Sequence, residues 1–156
     1  MISAAGLAGY AGLLAPSLHE ETRGPYHYLY RPVSNDPTDR QLAAQELGQL
    51  LASLQVDQRW RLSVEHTDGT AETGFLIEDV TLSMALSDGT RTRTIDPNNM
   101  MVVSFPDRIS YASTIARFRT DRMLNQRRAA AGYLDTEIMT LYRDDQITFL
   151  QPIIQP

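Results

Sequence analysis

Three histidines, His19, His27 and His66, are the residues of this sequence that could first be considered for acid–base or metal chemistry. Their spacing contains neither a His-Glu-x-x-His motif nor two histidines three to five residues apart, which are the patterns that bring zinc ligands together. His66 precedes the turn sequence Thr67-Asp68-Gly69, and no nucleophile pattern accompanies it. We therefore predict neither a catalytic histidine nor a metal site.

Acidic pairs occur at Glu20-Glu21, Glu78-Asp79 and Asp144-Asp145. Adjacent residues of a strand point to opposite faces, so such pairs rarely act as one acid–base dyad. The chain has no cysteine, which excludes disulfides, cysteine zinc sites and cysteine nucleophiles. Phosphate-binding loops, dinucleotide fingerprints and serine nucleophile elbows are also missing from the sequence. We predict that the protein is not an enzyme and needs no cofactor.

Arginine supplies all 14 basic side chains, although the net charge is -5. Residues 107–133 carry six arginines and two aspartates, which leaves the rest of the chain strongly acidic and favours a charged partner. On a helical wheel the arginines share no face, which suits contacts with acidic protein surfaces better than with nucleic-acid phosphates. A solvated helix whose arginine stems cover apolar surface explains the same pattern. The partner-binding candidates here are Arg117, Arg119, Arg122, Arg127 and Arg128.

Residues 1–35 have the composition of an extended N-terminal arm. The first 15 residues are small and apolar, lack a positive segment and are too short to span a bilayer. We therefore expect no signal peptide and no transmembrane helix, and a cytoplasmic or virion location. Tyr26, Tyr28 and Tyr30 alternate as in an extended segment, and we predict that they contact a neighbouring subunit.

Residues 36–156 are predicted to form a single α+β domain without an internal repeat. Asp36 and Pro37 can begin an amphipathic helix. Alternation at Trp60, Leu62 and Val64 predicts a strand, and further short strands follow up to Phe105. A second helix is expected at about 108–131, and a C-terminal hairpin turns at Asp144-Asp145. The predicted fold is a small antiparallel β-barrel or curled sheet, preceded by one helix and followed by the second helix and the hairpin.

The stretch 58–105 resembles the Sm-like and other SH3-like small β-barrels. The resemblance is carried by an amphipathic helix followed by the segment 59–64, the Asp68-Gly69 turn, the segment 74–79 and a closing Met101-Val102-Val103. The resemblance implies a small barrel of short bent strands and assembly into a ring. The RNA-binding signature of the Sm-like family is not found in the last strands, so RNA binding is not implied.

Three functional interpretations follow. The first is a non-enzymatic structural or assembly protein, a subunit of a homo-oligomer or larger complex such as a phage or virion component. The alternative is a regulatory module on an Sm-like barrel that binds nucleic acid through Arg91, Arg93 and the arginines of the second helix. A small-molecule-sensing barrel is a third interpretation.

Overall fold

The fold is described from a computed structural model, which covers residues 16–57, 60–78, 89–106 and 112–156. These ranges contain two helices and eight strands, and they confirm the predicted α+β class with a curled antiparallel sheet. The elements are β1 (Leu18–Arg23), β2 (Tyr26–Val33), α1 (Pro37–Ser53), β3 (Arg61–Glu65), β4 (Ala71–Leu76), β5 (Arg91–Ile95), β6 (Asn98–Pro106), α2 (Ala112–Ala131), β7 (Ile138–Tyr142) and β8 (Gln146–Pro152).

Strand pairing repeats a ββαββ unit twice. The strands lie in the order β1-β6-β8-β7-β3-β4-β2-β5. In the first unit β4 pairs with β3 and β2, and in the second unit β8 pairs with β7 and β6 in the same way. Strands β3 and β7 join the two units at the centre of the sheet. The sequence shows no repeat, so the two-fold arrangement is visible only in the pairing.

A bent two-stranded ribbon joins the two units a second time. One of its sides is formed by β1 and β2, and the other by β6 and β5. Leu18 opposes Val103 in β1 and β6, and Tyr30 opposes Arg91 in β2 and β5, in one continuous register. Only Asp96 and Pro97 separate β5 from β6, yet β5 ends the sheet at one side and β6 is next to its other side. The sheet must therefore curl to bring its two sides together.

Both helices pack on one face of this sheet, which we call the helix face. The carboxylate of Asp36 accepts a hydrogen bond from the Thr38 amide and caps α1. Leu47 and Leu51 of α1 are fully buried against Leu29 of β2. Burying each leucine contributes about 1.5–3 kcal/mol. In the second unit Leu124 of α2 packs in the same way on a cluster from β6 and β8, with Met101, Val103, Phe105, Ile147 and Phe149.

The opposite face, which we call the cavity face, lies inside the curl. Its core contains Tyr28, Leu62, Val64, Leu76, Met100, Val102, Met139, Leu141 and Leu150. Because consecutive residues alternate between faces, the run Met100–Val103 is buried on both sides. The alternation of Trp60 with Leu62 and Val64 predicts that the three side chains share one face, and the structure confirms this. Trp60 lies on the cavity face, whereas the leucines of α1 lie on the other side of the sheet.

Residues 18–33 of the predicted arm form β1 and β2 and pair within the same sheet as the later strands. The described strands of the stretch 58–105, which carries the Sm-like and SH3-like resemblance, do not form a sheet of their own, because β3 pairs with β7 and β6 pairs with β8. One of the short strands predicted before Phe105 is the apolar alternation of Val80, Leu82, Met84 and Leu86, which lies outside the described residues, as do residues 1–15.

Candidate ligand-binding cavity

A cavity of about 610 Å³ opens at one end of the curled sheet. Its described lining comes from four places: the β3–β4 turn, the β5–β6 connection with the start of β6, the segment before β7, and the end of β8. The residues are His66, Thr67, Asp68, Ile95, Asp96, Pro97, Asn98, Met100, Asp135, Thr136, Glu137, Pro152 and Ile154. Both ββαββ units and the bent ribbon therefore contribute to its wall.

The bend of the ribbon shapes this end of the sheet. Gly24, between β1 and β2, adopts a φ of +103°, which favours glycine. A Cβ atom at Gly24 would lie 3.2 Å from the carbonyl oxygen of Asp96. The two connections of the ribbon thus pass in close contact, and Asp96 and Pro97 are held at the rim of the cavity.

The described lining is acidic and apolar. Four carboxylates line it, from Asp68, Asp96, Asp135 and Glu137, and neither arginine nor lysine is among the described lining residues. Ile95 and Met100 connect the wall to the core of the cavity face. Hydrogen bonds from the hydroxyl and the amide of Thr70 hold the pKa of Asp68 below its usual range, so that carboxylate stays ionised.

His66 lies between two glutamates at the wall. Its Nε2 is 3.1 Å from Oε1 of Glu72, and its Nδ1 is 3.1 Å from Oε2 of Glu137. His66 follows Val64 by two positions and so faces the cavity side, and Glu72 is paired with Val64 across β3 and β4. The strand alternation therefore brings these three side chains together, although they are far apart in sequence.

Behind His66, Glu72 connects to an aromatic pair. Nη2 of Arg93 lies 2.9 Å from Oε2 of Glu72. The Arg93 guanidinium also lies 5.8 Å from the ring centroid of Tyr28 and 5.5 Å from that of Tyr30, within cation–π range. The two rings stack at 5.0 Å. Burial, and after it the Glu72 carboxylate, raise the pKa of Tyr28 well above its usual value, and its neutral hydroxyl donates to the Leu62 carbonyl.

On the helix face, Glu65 ties both helices to β3. Its Oε1 accepts a 2.6 Å hydrogen bond from Arg40 of α1, and both of its oxygens accept hydrogen bonds from Arg117 of α2. Burial alone would raise the pKa of Glu65, but the hydrogen bonds and positive charges of Arg117 and Arg40 outweigh it and hold the pKa below its usual value. The carboxylate therefore stays ionised between the helices.

Most of the predicted partner-binding arginines have partners inside the chain. Arg117 pairs with Glu65 and Asp121, Arg127 with Glu20, and Arg128 with Asp135. Arg119 and Arg122 lie on the exposed side of α2. Of the predicted tyrosines, Tyr28 is buried in the cavity-face core, and Tyr26 and Tyr30 pack against that core.

His66 precedes a turn in the sequence and has no nucleophile pattern beside it, and its spacing does not connect it with Glu72 or Glu137. The signal that could have drawn attention to it was its phase with Leu62 and Val64, which puts it on their side of β3. Among the described residues, no group of histidine and carboxylate side chains is arranged to hold a metal ion. Each glutamate approaches a different ring nitrogen of His66, so one ion could not be bound by all three.

Within the described ranges, neither helix combines the length and the apolar composition that crossing a membrane requires.

No profile of a known protein family matches the sequence, and no curated protein sequence matches it either. Solved structures do match. The C-terminal domain of EcmrR has a TM-score of 0.69 at 10% identity, covering 90% of this chain and 99% of that one. EcmrR in complex with DNA has a TM-score of 0.72 at 10% identity over 96% of this chain, which spans only 64% of that protein.

Two further structures share the architecture. SAV2435 bound to tetraphenylphosphonium has a TM-score of 0.62 at 12% identity, covering 88% of this chain and 94% of that one. A Staphylococcus aureus MU50 protein described as a bacterial transcription regulation protein has a TM-score of 0.57 at 10% identity, covering 89% and 99% of the two chains. At these identities the likeness shows the fold alone, and this chain has the fold of the EcmrR C-terminal domain.

Proposed function

We propose that this chain is a ligand-binding regulatory domain that takes a small organic cation into the acidic cavity. The observation that carries the proposal is the cavity itself. Its volume of about 610 Å³ is within the usual range of small-molecule sites, and its described lining has four carboxylates and no basic residue apart from His66. An apolar wall with a few acidic groups suits a lipophilic molecule that carries a positive charge.

The likenesses support this proposal at the level of the fold. One protein of this architecture is bound to tetraphenylphosphonium, an organic cation with four phenyl rings, and another is in complex with DNA. We therefore prefer the regulatory interpretation of the sequence to the assembly interpretation, and we propose that the regulated process is transcription. Assembly into a homo-oligomer stays a prediction.

The internal ion pairs argue against Arg93 and Arg117 as nucleic-acid contacts. Arg117 is engaged by Glu65 and Asp121, and Arg93 is engaged by Glu72 beside the aromatic pair. Moving either guanidinium to a phosphate would leave a partly buried carboxylate without its partner, which costs free energy. We therefore propose that the domain senses the ligand and that it is not itself the reader of DNA sequence.

Calorimetric titration with tetraphenylphosphonium tests the proposal. Triphenylphosphine oxide is the control ligand, because it has phenyl rings on phosphorus but no net charge. We expect saturable binding of the cation and at least tenfold weaker binding of the neutral compound, a difference of about 1.4 kcal/mol. The cation should be recovered chemically unchanged. Equal binding of both compounds would refute the acidic selectivity, and no binding of either would refute the site.

A further inference from the structure

We infer that His66 makes ligand binding proton-linked: a bound organic cation takes over the carboxylate of Glu137, and His66 releases one proton to solvent. This inference rests on the proposed function, because it concerns the same cavity. It names His66 as the residue that makes the affinity for the cation depend on pH.

The first step is the geometry of the ring. A neutral imidazole carries a proton on one nitrogen and a lone pair on the other, whereas the imidazolium has an N–H on both. Both nitrogens of His66 lie 3.1 Å from a carboxylate oxygen. An ionised Glu137 next to an unprotonated Nδ1 would place its negative charge against the nitrogen lone pair, and the two would repel each other. Only the protonated ring has an N–H on each nitrogen to face the two carboxylates.

The second step is the charge of the cluster. With His66 protonated, the positive charges of His66 and Arg93 balance the negative charges of Glu72 and Glu137. With His66 neutral, the same four groups carry one net negative charge. An incoming monocation then restores the balance. The proton and the organic cation thus compete to neutralise the same negative charge.

The third step is access. His66 and Glu137 line the cavity, whereas Glu72 lies behind His66 with 12% of its side chain exposed and is paired with Arg93. A ligand in the cavity therefore meets Glu137 and not Glu72. When the cation pairs with Glu137, the neutral ring can keep its N–H on Nε2 towards Glu72. The proton that leaves Nδ1 goes to solvent, so charge and atoms balance.

The other charged groups around the ring do not change this conclusion. Asp68 on the β3–β4 turn, Asp96 on the β5–β6 connection and Asp135 before β7 line the same cavity and are all acidic. Asp135 is paired with Arg128 of α2. Arg93 of β5 reaches the ring only through Glu72. No second histidine is among the described lining residues, so His66 is the one imidazole that a ligand in the described part of the cavity can meet.

The linkage is reciprocal and can be measured from both sides. Titrations of the full chain with tetraphenylphosphonium are made from about pH 5.5 to 8, at each pH in two buffers of different ionisation enthalpy. We expect the affinity to rise with pH, by at most about tenfold per unit as one linked proton requires, and then to level off. The two buffers should report a release of up to about one proton at the acidic end.

The variant His66→Gln keeps a polar group but cannot be protonated. We expect it to bind tetraphenylphosphonium with nearly the same affinity across this range and to release no proton. The variant His27→Gln is the matched control, because His27 contacts Thr94 outside this cavity, and it should retain the wild-type dependence on pH. Far-UV circular dichroism shows whether each variant is folded. A further variant, Glu137→Gln, should lose the proton release and bind the cation more weakly.

The outcomes separate the two proposals. Binding that shows the same dependence on pH in wild type and His66→Gln would overturn the proton linkage and leave the ligand site intact. Binding that is independent of pH in the wild type would do the same. A lack of binding at every pH in wild type and both histidine variants would refute the proposed function itself.

Discussion

Glu65 and His66 are consecutive residues whose side chains lie on opposite faces of the sheet, at the end of β3. Glu65 accepts hydrogen bonds from Arg40 of α1 and Arg117 of α2. His66 lies at the wall of the cavity between Glu72 and Glu137. The residue that holds both helices is thus joined by one peptide bond to the residue that we propose exchanges its proton for a ligand.

Replacing Glu65 with glutamine should destabilise the domain. The amide has no charge to offer two arginines that are themselves partly buried, and hydrogen bonds to charged groups are worth about 1.5–3 kcal/mol. We expect the free energy of unfolding, measured by urea denaturation, to fall by about 2–3 kcal/mol. The control is Glu46→Gln, because Glu46 pairs with Arg31 at the surface and should change stability by less than about 1 kcal/mol. Equal effects of the two substitutions would contradict the role of Glu65.

The same carboxylate predicts part of the dependence of stability on acid. The pKa of Glu65 is lower in the folded protein than its usual value, because the hydrogen bonds from Arg117 and Arg40 outweigh burial. Its contribution to stability is therefore present above the unfolded pKa of about 4.3 and is lost as the pH falls through the lower folded pKa. We expect the wild type to lose its advantage over Glu65→Gln between pH 5 and acid unfolding, as urea denaturation at several pH values would measure.

The parts of the fold that depend on neighbouring residues could be predicted from the sequence. The cap at Asp36, the spacing of Leu47 and Leu51 and the alternation of Leu62 and Val64 are local signals. They led to the α+β class and a curled antiparallel sheet, because capping, helical packing and strand alternation act within a few residues.

Long-range pairing could not be predicted in this way. The register that joins Leu18 to Val103 spans most of the chain, and the hydrogen bond from Arg117 to Glu65 joins residues 52 positions apart. Nothing in the type of either residue identifies such a partner. The arginines of α2 therefore looked available for an external surface, and the cluster around His66 could not be recognised before the strands were paired.

A glycine in β4 gives a direct test of the strand pairing. A Cβ atom at Gly74 would lie 2.7 Å from the Cα of Tyr30 and would overlap the Leu29 carbonyl oxygen in β2. Backbone atoms cannot move aside as a flexible side chain can, so Gly74→Ala should cost at least about 3 kcal/mol or prevent folding. Gly69→Ala meets no atom within 4 Å but has a φ of +86°, and should cost only about 1 kcal/mol. Similar melting temperatures for the two variants would contradict the close approach of β2 and β4.

The acidic rim predicts how much a single carboxylate contributes to binding. Asp96 is an exposed lining residue on the connection between β5 and β6. One unit charge about 4 Å from a cation in water contributes about 1 kcal/mol, so Asp96→Asn should weaken the binding of tetraphenylphosphonium about fivefold. The loss should shrink as salt is added, because exposed charges are screened over about 8 Å at physiological ionic strength. Asp144→Asn is the matched control, since Asp144 lies on the β7–β8 turn and is not among the lining residues. Calorimetry at low and high salt would measure both variants, and an equal loss in the two would mean that the effect comes from the net charge of the protein and not from the cavity.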